Sequence, residues 1–305
     1  MLTTDGDSSP LAALDGASVW LNSEPLTNRG LRGRVVLVDF WTYSCVNWLR
    51  TLPYVRAWYE RYSKRGLVVI GVHAPEFDFE HDLDNVHRAM KDLNVGYPVA
   101  IDNEFTIWRA FENRYWPALY LLDGTGVVRF HHFGEEAYGE IERTTQRLLG
   151  VQERLVRVDA SGPAKPAEWR SLHSEETYLG NSRGERRVAA GPLALNQWSL
   201  RGQWSIQDEA AVLGADASIA YRFQGRDLNM VLTPPVPGGS VRFVVHLDGE
   251  PPGIDHGLDV DPSGFGTVSA PRMYQLVRLQ PPIRRRIFEI TFLDPGVRAY
   301  VFTFG

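Results

Sequence analysis

Val35-Val36-Leu37-Val38-Asp39-Phe40-Trp41-Thr42-Tyr43-Ser44-Cys45-Val46-Asn47-Trp48 is the stretch that decides the fold. Residues 34–41 are almost continuously apolar, as in a strand covered on both faces, and Asp39 is the one acid among them. The polar turn that follows predicts a helix beginning at Cys45, with Ser44 as its cap. Arg50, Tyr54, Trp58 and Tyr62 carry that helix to a stop at Gly66, and Pro53 inside it predicts a kink. Cys45 is the only cysteine in 305 residues. A helix N-terminus offers it unpaired N–H groups and the positive end of the dipole, both of which favour thiolate. Thiolate is the nucleophile in disulfide exchange.

Outward from this segment the first half alternates strand and helix. Residues 67–74 read as a second buried strand, and 80–93 as an amphipathic helix with Leu83, Val86, Met90 and Leu93 on one side. A short strand at 97–101, a helix at 104–112, a hairpin across 116–133 turning at Gly124 and Gly126, and a helix at 135–149 complete the unit. This order predicts a mixed sheet flanked by helices. Residues 150–167 shift to Ser, Gly, Pro, Ala and charge, as in a linker. Beyond them, 217–223, 228–232, 241–247, 273–279, 287–293 and 297–304 read as short strands, with Asp248-Gly249 as a turn. The expected organisation is an α/β domain at 1–152, a linker at 153–168 and an all-β, jelly-roll-like sandwich at 169–305.

Composition narrows the classes. Hydrophobic residues are 44% and charged residues 23%, as in a globular chain. A formal charge of -5 argues against a nucleic-acid surface, and the Arg284-Arg285-Arg286 run after Pro281-Pro282 reads as a turn and an exposed strand start. No apolar run approaches the about 18 residues of a membrane-spanning helix. Met1 to Asp7 lacks the basic start and apolar core of a secretory signal. A cytoplasmic location is therefore expected as the sequence stands, or an extracytoplasmic one if it is an excised soluble portion of a longer protein. One cysteine excludes an intrachain disulfide framework and a Cys-rich metal site. His131 and His132 would point to opposite faces of a strand, and His81 and His87 lack helical metal spacing. No cofactor and no metal are expected.

Val38-Asp39-Phe40-Trp41, then Cys45, then Pro53 resembles the thioredoxin superfamily. The string from Phe40 to Tyr54, with Gly71-Val72-His73-Ala74-Pro75-Glu76-Phe77 and Tyr115-Trp116-Pro117-Ala118-Leu119-Tyr120, resembles its TlpA/DipZ-type branch. In the second half, 270–277 and 292–305 resemble the DipZ-type carboxy-terminal module, which is similar to carbohydrate-binding sandwiches. The resemblance implies a thioredoxin-like domain acting in thiol:disulfide exchange on a disulfide-containing protein or a low-molecular-weight thiol. It implies Cys45 as the attacking cysteine and Pro117 as a cis-proline whose preceding residue, Trp116, pairs with an incoming peptide. It implies Asp39 as the buried carboxylate that serves the second cysteine, and Trp41 as the ring flanking the thiol. The departure is Trp48, which stands where the family has its resolving cysteine. An indole there cannot release a mixed disulfide, is expected to cover the sulfur, and leaves Asp39 without the group it serves.

Structural readings stand beside each of these. Asp39 suits a buried structural acid as well as a catalytic remnant, and Trp116-Pro117 suits a turn. Structural roles are favoured for His73 and Glu76. Trp198, Trp204 and Tyr221 could present an aromatic platform to a sugar, although core packing is the favoured reading. Three functions follow. One is monothiol exchange resolved by an external thiol, with a peroxide-reactive variant that has Thr42 in place but Val38 where proline is required. The second is a degenerate domain retained to bind a glycan or protein. The third is an ordinary dithiol reductase, if tryptophan is not the native residue at position 48.

Overall fold

The computed structural model describes residues 9–305; Met1 to Asp7, read above as lacking a signal, lies outside the described residues. The chain divides into two compact units between Ala164 and Lys165.

The first unit is built on β1 (Val19–Leu21), α1 (Asn28–Leu31), β2 (Val35–Trp41), α2 (Val46–Tyr62), β3 (Leu67–His73), α3 (Leu83–Asp92), β4 (Val99–Ile101), α4 (Thr106–Ala110), β5 (Ala118–Leu122), β6 (Val128–Phe133) and α5 (Tyr138–Leu149). Its sheet runs β1-β4-β3-β2-β5-β6. β2, β3 and β4 are parallel, and β1, β5 and β6 pair antiparallel. β2 is buried at every position, as its composition requires. Strand alternation sends Val36, Val38 and Phe40 into one core cluster and leaves Asp39 and Trp41 on the opposite face.

Helix starts differ from expectation. Ser44 does not cap α2: Cys45 holds the N-cap position with extended backbone, and the Ser44 hydroxyl donates elsewhere, to Glu80. α2 runs through Pro53 without interruption. The expected helices at 80, 104 and 135 begin three, two and three residues late, at Leu83, Thr106 and Tyr138. The caps are other groups: Asp82 accepts from the Asp84 amide, and Asp102 accepts from the Ile107 and Trp108 amides. Glu80 turns inward, and Glu135 pairs with Arg50 at 2.7 Å. From Gly150 the chain stays against this unit, with the Glu153 amide on Gln146 and the Val156 amide on Glu142.

The second unit contains β7 (Thr177–Tyr178), β8 (Trp198–Arg201), β9 (Trp204–Ile206), β10 (Ala211–Leu213), β11 (Ala217–Phe223), β12 (Asp227–Thr233), β13 (Val241–Leu247), β14 (Phe265–Val268), β15 (Arg272–Arg278), β16 (Arg286–Phe292) and β17 (Val297–Phe304). One antiparallel sheet runs β15-β12-β17-β10-β9, with β7 also on β17; the other runs β14-β13-β16-β11-β8. Met230, Leu232 and Phe302 from one sheet share a core with Ile219, Phe243, Phe288 and Ile290 from the other. This is a β-sandwich.

Gly71 faces Asp39 across the β2–β3 pair. A Cβ there would stand 2.8 Å from Trp41 Nε1 and 3.0 Å from Tyr97 Cε2, so the absence of a side chain makes room for the aromatic packing behind the sheet. Gly71→Ala is expected to destabilise the first unit by about 1–3 kcal/mol through overpacking. Urea unfolding followed by tryptophan fluorescence checks this, and an unchanged midpoint would show that β3 moves aside without cost.

Candidate active site

Three clusters meet around the β2–α2 turn. The first is the thiol itself. Cys45 is partly exposed at the mouth of α2, where the helix presents its unpaired N–H groups and stabilises negative charge. The turn is held by the Cys45 amide on the Thr42 carbonyl at 3.3 Å and the Leu49 amide on the Cys45 carbonyl at 3.0 Å. Cys45 Sγ lies 3.8 Å from the Trp116 carbonyl oxygen and donates to it. The Trp116–Pro117 peptide bond is cis. The Trp116 indole packs against Trp108 with ring centroids 4.4 Å apart and donates from Nε1 to the Ala74 carbonyl at 3.0 Å. Sequence-distant Cys45, Trp116 and Pro117 are thus brought to one place.

The second cluster lies behind the first. Trp48 is fully buried and stacks on Trp41 at 4.3 Å with the ring planes 21° apart. Its Nε1–H donates to Asp39 Oδ2 at 3.1 Å, and the Tyr97 hydroxyl donates to the same oxygen at 3.3 Å. Asp39 is not left without a partner, as the sequence had suggested; the indole that displaces a second thiol supplies the hydrogen bond. Burial lifts the Asp39 pKa to about 7, against the lowering effect of these two donors. The indole is turned toward Trp41 and Asp39, while Cys45 keeps part of its surface in solvent.

The third cluster centres on Glu80, which was not singled out from sequence, and includes His73 and Glu76, for which structural roles were favoured. Glu80 is fully buried; its Oε1 accepts from the Ser44 hydroxyl at 2.6 Å, and Oε2 from the Glu76 and Phe77 amides at 2.6 and 3.1 Å. Burial first, then the Glu76 charge, raises its pKa to about 7. The only available signal was its place in an otherwise amphipathic run, which pointed to a solvent-facing helix start. His73, at the end of β3, lies edge-on to Trp41 and stacks on Tyr43. Among the described residues neither of its ring nitrogens has a hydrogen-bond partner, and burial followed by the His81 charge pushes its pKa down to about 3, so it is neutral.

Elsewhere, Trp198 and Tyr221 pair across β8 and β11 inside the sandwich core, and of the three aromatic residues only Trp204 reaches the surface. The Arg187 guanidinium lies 5.1 Å over the Trp204 ring. Among the described residues no helix is long and apolar enough to cross a membrane.

Residues 11–131 match the AhpC/TSA family, and residues 174–305 match the family described as Thioredoxin like C-terminal domain. The chain is 33% identical over 299 residues to Protein DipZ of Mycobacterium bovis, covering 92% of this chain and 42% of that protein. It therefore spans less than half the length of that relative. It is 28% identical over 144 residues to Thiol-disulfide oxidoreductase YkuV of Bacillus subtilis, covering 47% of this chain and 97% of that protein. It is also 40% identical over 119 residues to NHL repeat-containing protein 2 of Gallus gallus, covering 38% of this chain and 16% of that protein.

Asp39 and Glu80 both have native pKa values near 7, above the ordinary 3.8 and 4.5. The native state therefore keeps protons that the unfolded chain has released. The stability this contributes is complete below about pH 4 and is lost as pH rises through about 7. Asp39→Asn keeps an acceptor for Trp48 and removes one of the two titrations. The urea midpoint of the first unit is expected to fall less between about pH 5 and about pH 7.5 in this variant than in the parent. Equal falls would show that Asp39 ionises as freely in the fold as in the open chain.

Proposed function

We propose, for a chain that joins a thioredoxin-like AhpC/TSA domain to a thioredoxin-like C-terminal domain and is a homologue of DipZ, that it carries out thiol-disulfide exchange with one protein cysteine. The first domain is of the thioredoxin-like thiol-disulfide oxidoreductase family, and only one cysteine is present. The observation that carries the proposal is the partly exposed Cys45 at the N-terminus of α2, with Sγ 3.8 Å from the Trp116 carbonyl. In the first step the Cys45 thiolate attacks one sulfur of a substrate disulfide, forms a mixed disulfide and expels the other sulfur as thiolate. In the second, an external thiolate attacks the substrate sulfur, takes its place in a new disulfide and releases Cys45 as thiolate. Protons from solvent balance both steps. Low-molecular-weight thiols and protein disulfides are the matching partners.

Trp48 supports the single-thiol form over a dithiol one. Its indole stacks on Trp41 and donates to one oxygen of the buried Asp39, so position 48 is part of the core. Retention for glycan binding has less support, since Trp198 and Tyr221 belong to the sandwich core.

With glutathione supplied, the protein is expected to reduce a small disulfide, and Cys45→Ser to abolish turnover. A parent protein with no turnover, and with Cys45 inert to iodoacetamide at neutral pH, would falsify the proposal. Trp48→Cys is expected to cost about 3–5 kcal/mol in the first unit by emptying the indole site. It is also expected to increase insulin reduction by roughly tenfold or more, because a neighbouring thiol resolves the mixed disulfide intramolecularly. Insulin turbidity assays check the gain, and an unchanged rate would mean that the rest of the dithiol machinery is gone.

A further inference from the structure

Both sides of the contact between the sulfur and the Trp116 carbonyl are tied to one short segment, residues 74–80. On one side, the Ala74 carbonyl accepts from the Trp116 indole Nε1 at 3.0 Å, and the Ala74 amide donates to the Trp41 carbonyl at 3.1 Å. On the other, Glu80 Oε1 accepts from the hydroxyl of Ser44, the residue next to Cys45, at 2.6 Å. Glu80 also ties the segment to itself. Its Oε2 accepts the Glu76 and Phe77 amides, and its own amide donates to the Phe77 carbonyl at 2.9 Å. The carboxyl is fully buried and Ser44 is 1% exposed, so water cannot replace this link. Asp39 does not have this role: its donors are Trp48 and Tyr97.

We propose that Glu80 is a positioning residue for the Cys45 reaction. Through Ser44 it fixes the turn that carries the sulfur. Through residues 74–77 it fixes Trp116, whose carbonyl forms the other wall of the gap that a substrate disulfide must enter. The proposal rests on reading Cys45 as the attacking thiol. It assigns to a residue outside the β2–α2 turn the separation between nucleophile and backbone.

The test compares two reagents on the full chain. Oxidised glutathione must fit between Cys45 and Trp116, whereas iodoacetamide needs only an accessible thiolate. Glu80→Ala and Ser44→Ala are each expected to slow mixed-disulfide formation with oxidised glutathione about tenfold, while iodoacetamide alkylation changes by less than roughly threefold. The double variant is expected to be no slower than Glu80→Ala, because that substitution already removes the link to Ser44. Glu80→Gln is expected to recover most of the rate: its carbonyl accepts the two amides and its NH₂ donates to the Ser44 oxygen. Ser44→Ala leaves the Glu80 bonds to residues 76 and 77 in place, so it tests the link even if Glu80→Ala unfolds.

A second readout does not depend on thiol chemistry. Hydrogen exchange of the Trp116 indole Nε1–H, followed by ¹⁵N NMR, is expected to accelerate in Ser44→Ala although that substitution does not touch Trp116. Unchanged exchange overturns the proposal. So does equal slowing of both reagents, or a Glu80→Gln protein as slow as Glu80→Ala. A parent protein that reacts with neither reagent removes the reading of Cys45, and the exchange result then decides on the positioning link alone.

Discussion

A carboxyl group on the central strand of a sheet has to find donors inside the protein. Asp39 lies between Gly71 on one neighbouring strand and Leu119 on the other, and it is fully buried. Leaving it bare would cost the desolvation of a polar group with no return. The Trp48 indole and the Tyr97 hydroxyl meet that demand on a single oxygen. Much of the local arrangement follows. Trp48 must lie flat on Trp41 to aim its N–H at the acid, and Gly71 must lack a side chain so that Trp41 and Tyr97 can approach. The first turn of α2 is fixed from below by this packing, and Cys45 is left at its mouth.

That constraint divides the site. Sulfur and the Trp116 carbonyl share the open side; acid, indole and tyrosine share the closed side. In a dithiol scheme a buried acid and a second thiol exchange a proton. Here the acid's hydrogen bond is taken by an indole, which has no proton to give at any accessible pH. On the single-thiol reading, the protons that balance Cys45 chemistry therefore come from bulk water, and Asp39 serves the fold.

Much of this could be read from the chain, and the parts that could not share a physical cause. β2 and β3 were legible because seven-residue apolar runs suit few other structures, and β11, β13 and β17 fell at the expected residues. Strands of two to four residues, such as β7, β8, β9, β10 and β14, bury too little to leave a periodic signature. Helix starts were misplaced because Glu80 and Glu135 carry the usual signal of a first turn while their carboxyls serve tertiary contacts instead. Ser44 misled in the same way. Local preference favoured a cap, and a buried partner thirty-six residues away took the hydroxyl.

The same competition bears on how Trp48 should be understood. A substitution that merely removes a thiol would leave an idle acid and an awkward ring. Instead, the ring is stacked, its one polar atom is paired, and one oxygen of the acid has a donor. Reversing it would take one of the two donors from Asp39, leaving Tyr97, and open a void the size of an indole, at a cost comparable to a large fraction of a small domain's stability. The first unit therefore packs around tryptophan at this position through Asp39 and Trp41 on β2, Gly71 on β3 and Tyr97 just before β4. This packing role of Trp48 is independent of whatever chemistry Cys45 performs.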